Sequence, residues 1–211
     1  MKNGFLALML AGVCLIPSLS LADTPYVSVS FGGAELNNSR YTYYGSNISN
    51  AIVFKESMTY GGAIGLRGDG YRLEAAYGHQ QNKADKISKQ LIPNSYTFIP
   101  VQGTGDDKVS INSYMVNGYL DMDQDASIDP YVMTGIGLVN IKASGPTMYS
   151  ASSTVFAWQF GLGASIKVSE HLLIDLGFRY LKPSNYTSTE LENLKVSNSS
   201  KNLMTGLQYV F

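Results

Sequence analysis

Few residues in this 211-residue chain could do chemistry: two histidines, one cysteine and a small set of charges. His79 and His171 would serve as general bases in a hydrolase only with a nucleophile within hydrogen-bond reach. Neither stands in a recognisable motif with Ser or a carboxylate, and His79 and Glu170-His171 fall at opposite ends of the strands derived below. Asp121, Asp123 and Asp125 open like a calcium loop, but Ala126 stands where that loop needs Gly and Val132 where it needs a bidentate Glu. A solvated acidic turn is the better reading. Gly135-Ile136-Gly137 lacks the third glycine of a dinucleotide fingerprint, and no CxxC or His/Cys cluster has zinc spacing. The expectation is therefore a protein that is not an enzyme and carries no cofactor and no metal.

The remaining charges recur at alternate positions: Arg67, Arg72, Glu74, Lys167, Asp175 and Arg179. Alternation of this kind belongs to strands, whose side chains point to opposite faces with period two. In Thr154 to Val168 the even positions carry Phe156, Trp158, Phe160, Leu162 and Ile166, and the odd positions carry Gln159, Gly161, Gly163, Ser165 and Lys167. In Leu172 to Leu181, Leu172, Ile174, Leu176, Phe178 and Tyr180 oppose Asp175, Gly177 and Arg179. The same pattern predicts strands at Tyr26–Gly33, Thr59–Arg67, Tyr71–Gly78, Ser110–Leu120, Pro130–Ile141 and Lys201–Phe211, which makes eight.

The connections alternate in length. Gly68-Asp69-Gly70, Asp121 to Asp129 and Ser169-Glu170-His171 are short, whereas 36–58, 79–108, 142–153 and 182–200 read as long polar loops. Short turns at one end and long loops at the other describe an up-and-down antiparallel meander with both termini at the short-turn end. An eight-stranded barrel has an interior only wide enough to be filled by side chains. A lipocalin-like arrangement would crowd Tyr60, Tyr77, Tyr114, Phe156, Trp158, Phe160, Phe178 and Tyr180 into that lumen. The small and charged face must line the interior, and the bulky face must meet lipid. The expected fold is all-β, a transmembrane up-and-down antiparallel eight-stranded β-barrel, closed because unpaired backbone groups are not tolerated in hydrocarbon.

Parity then places Arg67, Arg72, Glu74, Lys167, Asp175 and Arg179 in the lumen. A salt-bridge plug is the favoured reading, and a narrow conduit for small solutes is the alternative. Tyr26, Tyr60, Tyr71, Tyr77, Tyr119, Phe156, Tyr180 and Tyr209 fall near strand ends, as interfacial girdles do, with some, Tyr119 among them, turned inward by parity. Tyr41, Tyr43 and Tyr44 in the first long loop offer contact area for an extracellular surface ligand.

Composition agrees. Charged residues make up 15% of the chain with a formal net charge of −1, against roughly 25% charged in soluble domains, which excludes a basic nucleic-acid binder. Residues 1–22 read as a signal peptide: Met1-Lys2-Asn3, an apolar run from Phe5 to Ile16, and a small-residue end at Ser20 and Ala22. Residues 23–211 would then form one barrel domain without cysteine.

With Tyr71-Arg72-Leu73-Glu74-Ala75-Ala76-Tyr77, Asn117-Gly118-Tyr119-Leu120-Asp121 and Pro130-Tyr131-Val132-Met133-Thr134-Gly135-Ile136-Gly137, the chain resembles the OmpA-type outer-membrane β-barrels, more closely the opacity-protein and porin-family branch. Gly206, Tyr209 and Phe211 resemble the C-terminal signal read by the bacterial barrel-assembly machinery, with Met204 departing at a position usually polar. The resemblance implies an integral protein of a Gram-negative type outer membrane with periplasmic termini. Its partners would be outer-membrane lipid and lipopolysaccharide, and, during biogenesis, the assembly machinery and periplasmic chaperones. Its role would be in envelope structure and surface presentation, with adhesive loops.

Overall fold

The computed structural model describes residues 23–37, 39–43, 46–90, 98–102, 106–146, 150–184, 186–187, 195–197 and 199–211. The expected signal peptide and Tyr44 lie outside them. In chain order the strands are β1 (Thr24–Leu36), β2 (Ser39–Tyr43), β3 (Ser46–Phe54), β4 (Ser57–Gly68), β5 (Tyr71–Gln90), β6 (Phe98–Gln102) and β7 (Lys108–Asp121). They continue as β8 (Ile128–Ser144), β9 (Ala151–Lys167), β10 (Leu172–Pro183), β11 (Tyr186–Thr187), β12 (Lys195–Ser197) and β13 (Ser200–Val210).

Eight long strands form the wall. Each pairs antiparallel with its sequence neighbour in the order β1-β4-β5-β7-β8-β9-β10-β13. The ring closes where β1 meets β13, from Tyr26 opposite Val210 to Leu36 opposite Ser200. The short turns lie at the terminal end: Gly70 takes φ +74° in the β4–β5 hairpin, a left-handed conformation that costs glycine nothing. There the Val210 amide donates to His171 O at 2.8 Å and the Phe211 amide to Pro25 O at 3.0 Å.

The outer wall in the turn-side half is apolar. Val29, Ile64, Leu162 and Leu203 are 57–71% exposed, as lipid-facing side chains must be. Nearer the loop end of the outer wall, Trp158, Phe160 and Tyr180 cluster with ring centroids 5.4–6.1 Å apart.

Four connections differ from the expected loops. β5 runs on to Gln90 and pairs with β6; β2, β3 and β12 pair side by side next to β5; β8 and β9 reach Ser144 and Ala151. The reason is an inversion of the pattern. In the loop-side half, Val109, Ile111, Val139, Ile141 and Leu181 point inward with Leu36 and Met115 and form a core. The residues alternating with them, such as Lys108, Asn140 and Lys142, point outward. Period two persists, but the wall there faces water, so greasy and polar faces exchange places.

A charge on the lipid face should therefore cost according to depth. Leu162→Arg, near the middle of the apolar band, is expected to destabilise by about 2–4 kcal/mol and Thr154→Arg, nearer the loops, by about 0–1 kcal/mol. Urea midpoints in lipid vesicles, followed by Trp158 fluorescence, measure both.

Candidate functional site

The turn-side half of the interior is a polar network built on Arg72 and Glu74, adjacent inward positions of β5. Arg72 Nε donates to Asp121 Oδ1 at 3.0 Å and Nη1 to Gln208 Oε1 at 3.1 Å. Asp175 Oδ1 lies 3.7 Å from Nη1. The guanidinium also sits 4.4 and 4.8 Å from the ring centroids of Tyr119 and Tyr131, within cation–π range. Glu74 Oε1 accepts from Asn117 Nδ2 at 2.8 Å and from the Tyr119 hydroxyl at 3.0 Å, and Oε2 accepts from the Tyr26 hydroxyl at 3.2 Å. Asn117 Oδ1 accepts from Gln159 Nε2 at 2.6 Å.

Arg67 closes the turn end of the barrel, with Nη2 3.1 Å from Asp129 Oδ2 and 3.7 Å from Asp121 Oδ2. Arg179 Nη2 donates to the Tyr119 hydroxyl at 3.3 Å, and Asp175 accepts from Ser165 Oγ. The structure thus brings Arg67, Arg72, Glu74, Asp175 and Arg179 together and leaves Lys167 out. Lys167 shares their parity but is the last residue of β9; it is exposed and has no ion pair among the described residues. Parity fixes direction, not depth, and at a strand end the inward direction already opens to solvent.

Asp121 and Asp129 correct the solvated-turn reading. Both are buried, at 8% and 2% exposure, while Asp123 and Asp125 between them are exposed. Asp121 is the last residue of β7 and Asp129 the second of β8, and their odd parity turns them into the lumen, where they pair with Arg67 and Arg72. That parity, extended one residue past Leu120 and one before Pro130, was the signal available in the sequence. Tyr26 and Tyr119 also face the lumen, and both are buried.

Glycines make room for this filling. A Cβ at Gly163 would lie 2.6 Å from the Tyr131 ring, and one at Gly65 would lie 2.5 Å from that of Tyr26. Among the described residues, a cavity of about 20 Å³ remains beside Glu74, Tyr131, Asp175 and Arg179, roughly enough for one water. An apolar cluster of Leu36, Val109, Ile111, Met115, Val139, Ile141, Ala157 and Leu181 fills the interior above it.

Among the described residues neither histidine has a carboxylate or a nucleophile as its hydrogen-bond partner. His79 is on the outer wall, 5.0 Å between centroids from Tyr60, with Nδ1 2.8 Å from Asn112 Oδ1. His171 is in the β9–β10 turn against Tyr209 and the Val210 carbonyl. No group of His, Cys, Asp and Glu able to hold a metal occurs among the described residues. Of the expected assembly signal, Gly206 faces the lumen beside Val29 and Ser30, and Tyr209 and Phe211 lie outside with centroids 5.3 Å apart. Tyr41 and Tyr43 belong to β2, opposite Ile48 and Ser46.

Removing one partner of a buried ion pair strands the other charges, at a cost of about 3–5 kcal/mol. Arg72→Ala should lose that much stability, whereas Lys167→Ala should change it by no more than about 0.5 kcal/mol. Denaturant titration of the two variants in the same vesicles separates the buried arginine from the exposed lysine.

Comparison with known proteins gives the same answer as the geometry. PagN of Salmonella typhimurium is 29% identical over 130 residues, which are 53% of this chain and 54% of PagN, so the match spans about half the length of that relative. A putative adhesin of Rickettsia bellii is 24% identical over 99% of both chains. Neisserial surface protein A has the same fold, with a TM-score of 0.59 at 15% identity, over 89% of this chain and 97% of that one. The model of the outer membrane protein beta-barrel domain matches residues 5–211. The chain belongs to this family of outer-membrane β-barrels.

Proposed function

We propose that the protein is a non-enzymatic surface scaffold. It contributes to envelope structure, keeps both termini on the periplasmic side and presents its loop end outward as an adhesive surface. The observation that carries this reading is the continuation of the wall beyond the lipid band. β5, β7, β8 and β9 leave the apolar zone as paired strands with a core of their own, and β2, β3, β6 and β12 widen that platform. A rigid base is what a binding loop needs. The full-length similarity to a putative adhesin supports the same role.

The ion-paired network of Arg67, Arg72, Asp121, Asp129 and Asp175 and the apolar cluster above it favour a closed barrel over the narrow porin-like channel. The separation of His79 from His171, and the absence of a carboxylate partner for either among the described residues, favour a role without catalysis.

Two measurements test this reading. Bacteria expressing the protein should adhere to immobilised extracellular matrix more than bacteria that lack it. Replacing Tyr41, Tyr43 and Tyr44 by Ser should return adhesion to background while the unboiled protein keeps its fast mobility on SDS gels. Adhesion unchanged in the folded variant would contradict the role given to these tyrosines. In planar bilayers the wild-type protein should leave conductance at the lipid baseline, and discrete openings would restore the channel reading.

A further inference from the structure

Asparagine followed by glycine occurs once after Ala22, at Asn117–Gly118, and the barrel treats the two residues differently. Asn117 is fully buried in the lumen. Its Nδ2 donates to Glu74 Oε1 at 2.8 Å and its Oδ1 accepts from Gln159 Nε2 at 2.6 Å, so the amide links β5 to β9 through the interior. Gly135 of β8 stands opposite Asn117, and a Cβ there would collide with Asn117 Oδ1. Glycine at 135 is thus explained by the amide it accommodates. Glycine at 118 has no such explanation. It lies between Leu73 and Thr134 in the ladder, its backbone is not left-handed, and a Cβ built on it meets nothing within 4 Å. Alanine would fit there, and glycine inside a strand costs stability.

What glycine at 118 does supply is reactivity. In an unpaired chain its backbone nitrogen can attack Cγ of Asn117, and without a Cβ beside that nitrogen the approach is unhindered. A bond forms from the nitrogen to Cγ, the Cγ–Nδ2 bond breaks, and Nδ2 leaves as ammonia with the proton lost by the Gly118 amide. Water then opens the five-membered imide at either carbonyl, which leaves aspartate or isoaspartate at 117. No oxidant or reductant is consumed. The folded barrel blocks the first step. Residue 117 is paired on both sides, with Glu74 and with Gly135. The rotation that ring closure needs would break this ladder and both hydrogen bonds of the side-chain amide.

We propose that Asn117–Gly118 is a self-modification site of the unassembled chain, protected by barrel closure, and that its modification disables closure. An aspartate at 117 sets a carboxylate where Glu74 Oε1 now has an amide donor. Glu74 is buried, belongs to none of the ion pairs of the lumen network, and is held by the neutral donors Asn117, Tyr119 and Tyr26. Two carboxylates facing each other in the interior without a shared cation are costly. Isoaspartate adds a backbone carbon to β7 and upsets the alternation beyond it, which displaces Tyr119 and Asp121 from their lumenal partners. The loss falls only on chains that wait unfolded.

The test holds the chain from residue 23 onward in mildly alkaline urea for increasing times and then dilutes it into lipid vesicles. Unboiled SDS gels separate folded from unfolded chains, and mass spectrometry of the peptide carrying residue 117 reads each fraction. Modified 117 should accumulate with time in urea and be depleted at least about tenfold from the chains that fold, given the cost of the buried carboxylate pair. Protein folded first and kept for the same time in the same buffer without urea should retain Asn117. Gly118→Ala should fold as wild type does and keep its folding yield over an incubation in which wild type loses its own. N117D should fail to fold, and N117D/E74Q, which removes one of the two carboxylates, should recover. No modification at 117 in urea, equal rates in folded and urea-held protein, or modified chains folding in proportion to their input would overturn the proposal. Folding of N117D as complete as that of wild type, or failure of E74Q to rescue it, would overturn the part given to Glu74.

Discussion

The hydrogen bonds between the first strand and the last are the constraint on which the rest of this structure depends. In hydrocarbon an unpaired backbone amide or carbonyl costs several kcal/mol, so a sheet with an edge cannot remain there. Pairing β1 with β13 removes both edges at once. Closure with eight strands then fixes a narrow interior, and that width dictates which residues can line it. Tyr26 and Tyr131 fit because Gly65 and Gly163 face them without side chains. Arg67, Arg72 and Arg179 fit because Glu74, Asp121, Asp129, Asp175 and the Tyr119 hydroxyl lie within reach. Buried charges are tolerated only when paired and hydrogen-bonded, so the network follows from closure.

The same strands serve two solvents. In the turn-side half they carry apolar residues outward into lipid and polar residues inward. In the loop-side half Val109, Ile111, Val139 and Ile141 turn inward, and lysines and asparagines take the outside. The inversion marks the membrane boundary on the molecule itself. The ion-paired network lies in the turn-side interior and the apolar cluster in the loop-side interior.

Much of this was legible in the residues. Alternation in Thr154 to Val168 and Leu172 to Leu181 identified the lipid face correctly, because large apolar side chains cannot fit the other one. Three things were hidden for physical reasons. Asp121 and Asp129 looked like a polar turn because a turn and the last inward position of a strand have the same composition. Lys167 looked lumenal because parity carries no information on depth. The continuation of β5 to Gln90 looked like a loop because its outward residues, Gln81 and Lys83, are polar where a membrane strand should be greasy. Reading parity through the change of solvent, with Gln80, Asn82 and Ala84 buried on the inward side, recovers the strand. The loop tyrosines are a different case, since a contact surface depends on a partner that the chain itself does not encode.

Closure of the barrel rests on the seam between β1 and β13. Val29 and Leu207 are register partners on the outer wall of β1 and β13, and the chain after Ala22 contains no cysteine. Cysteines introduced at both positions should form a disulfide in the membrane-embedded protein, detected as a mobility change on non-reducing gels. Val29→Cys combined with Leu203→Cys, four positions out of register, should not. A crosslink at Val29 and Leu207 alone would establish a closed barrel in this register; no crosslink there, or equal crosslinking of both pairs, would contradict it.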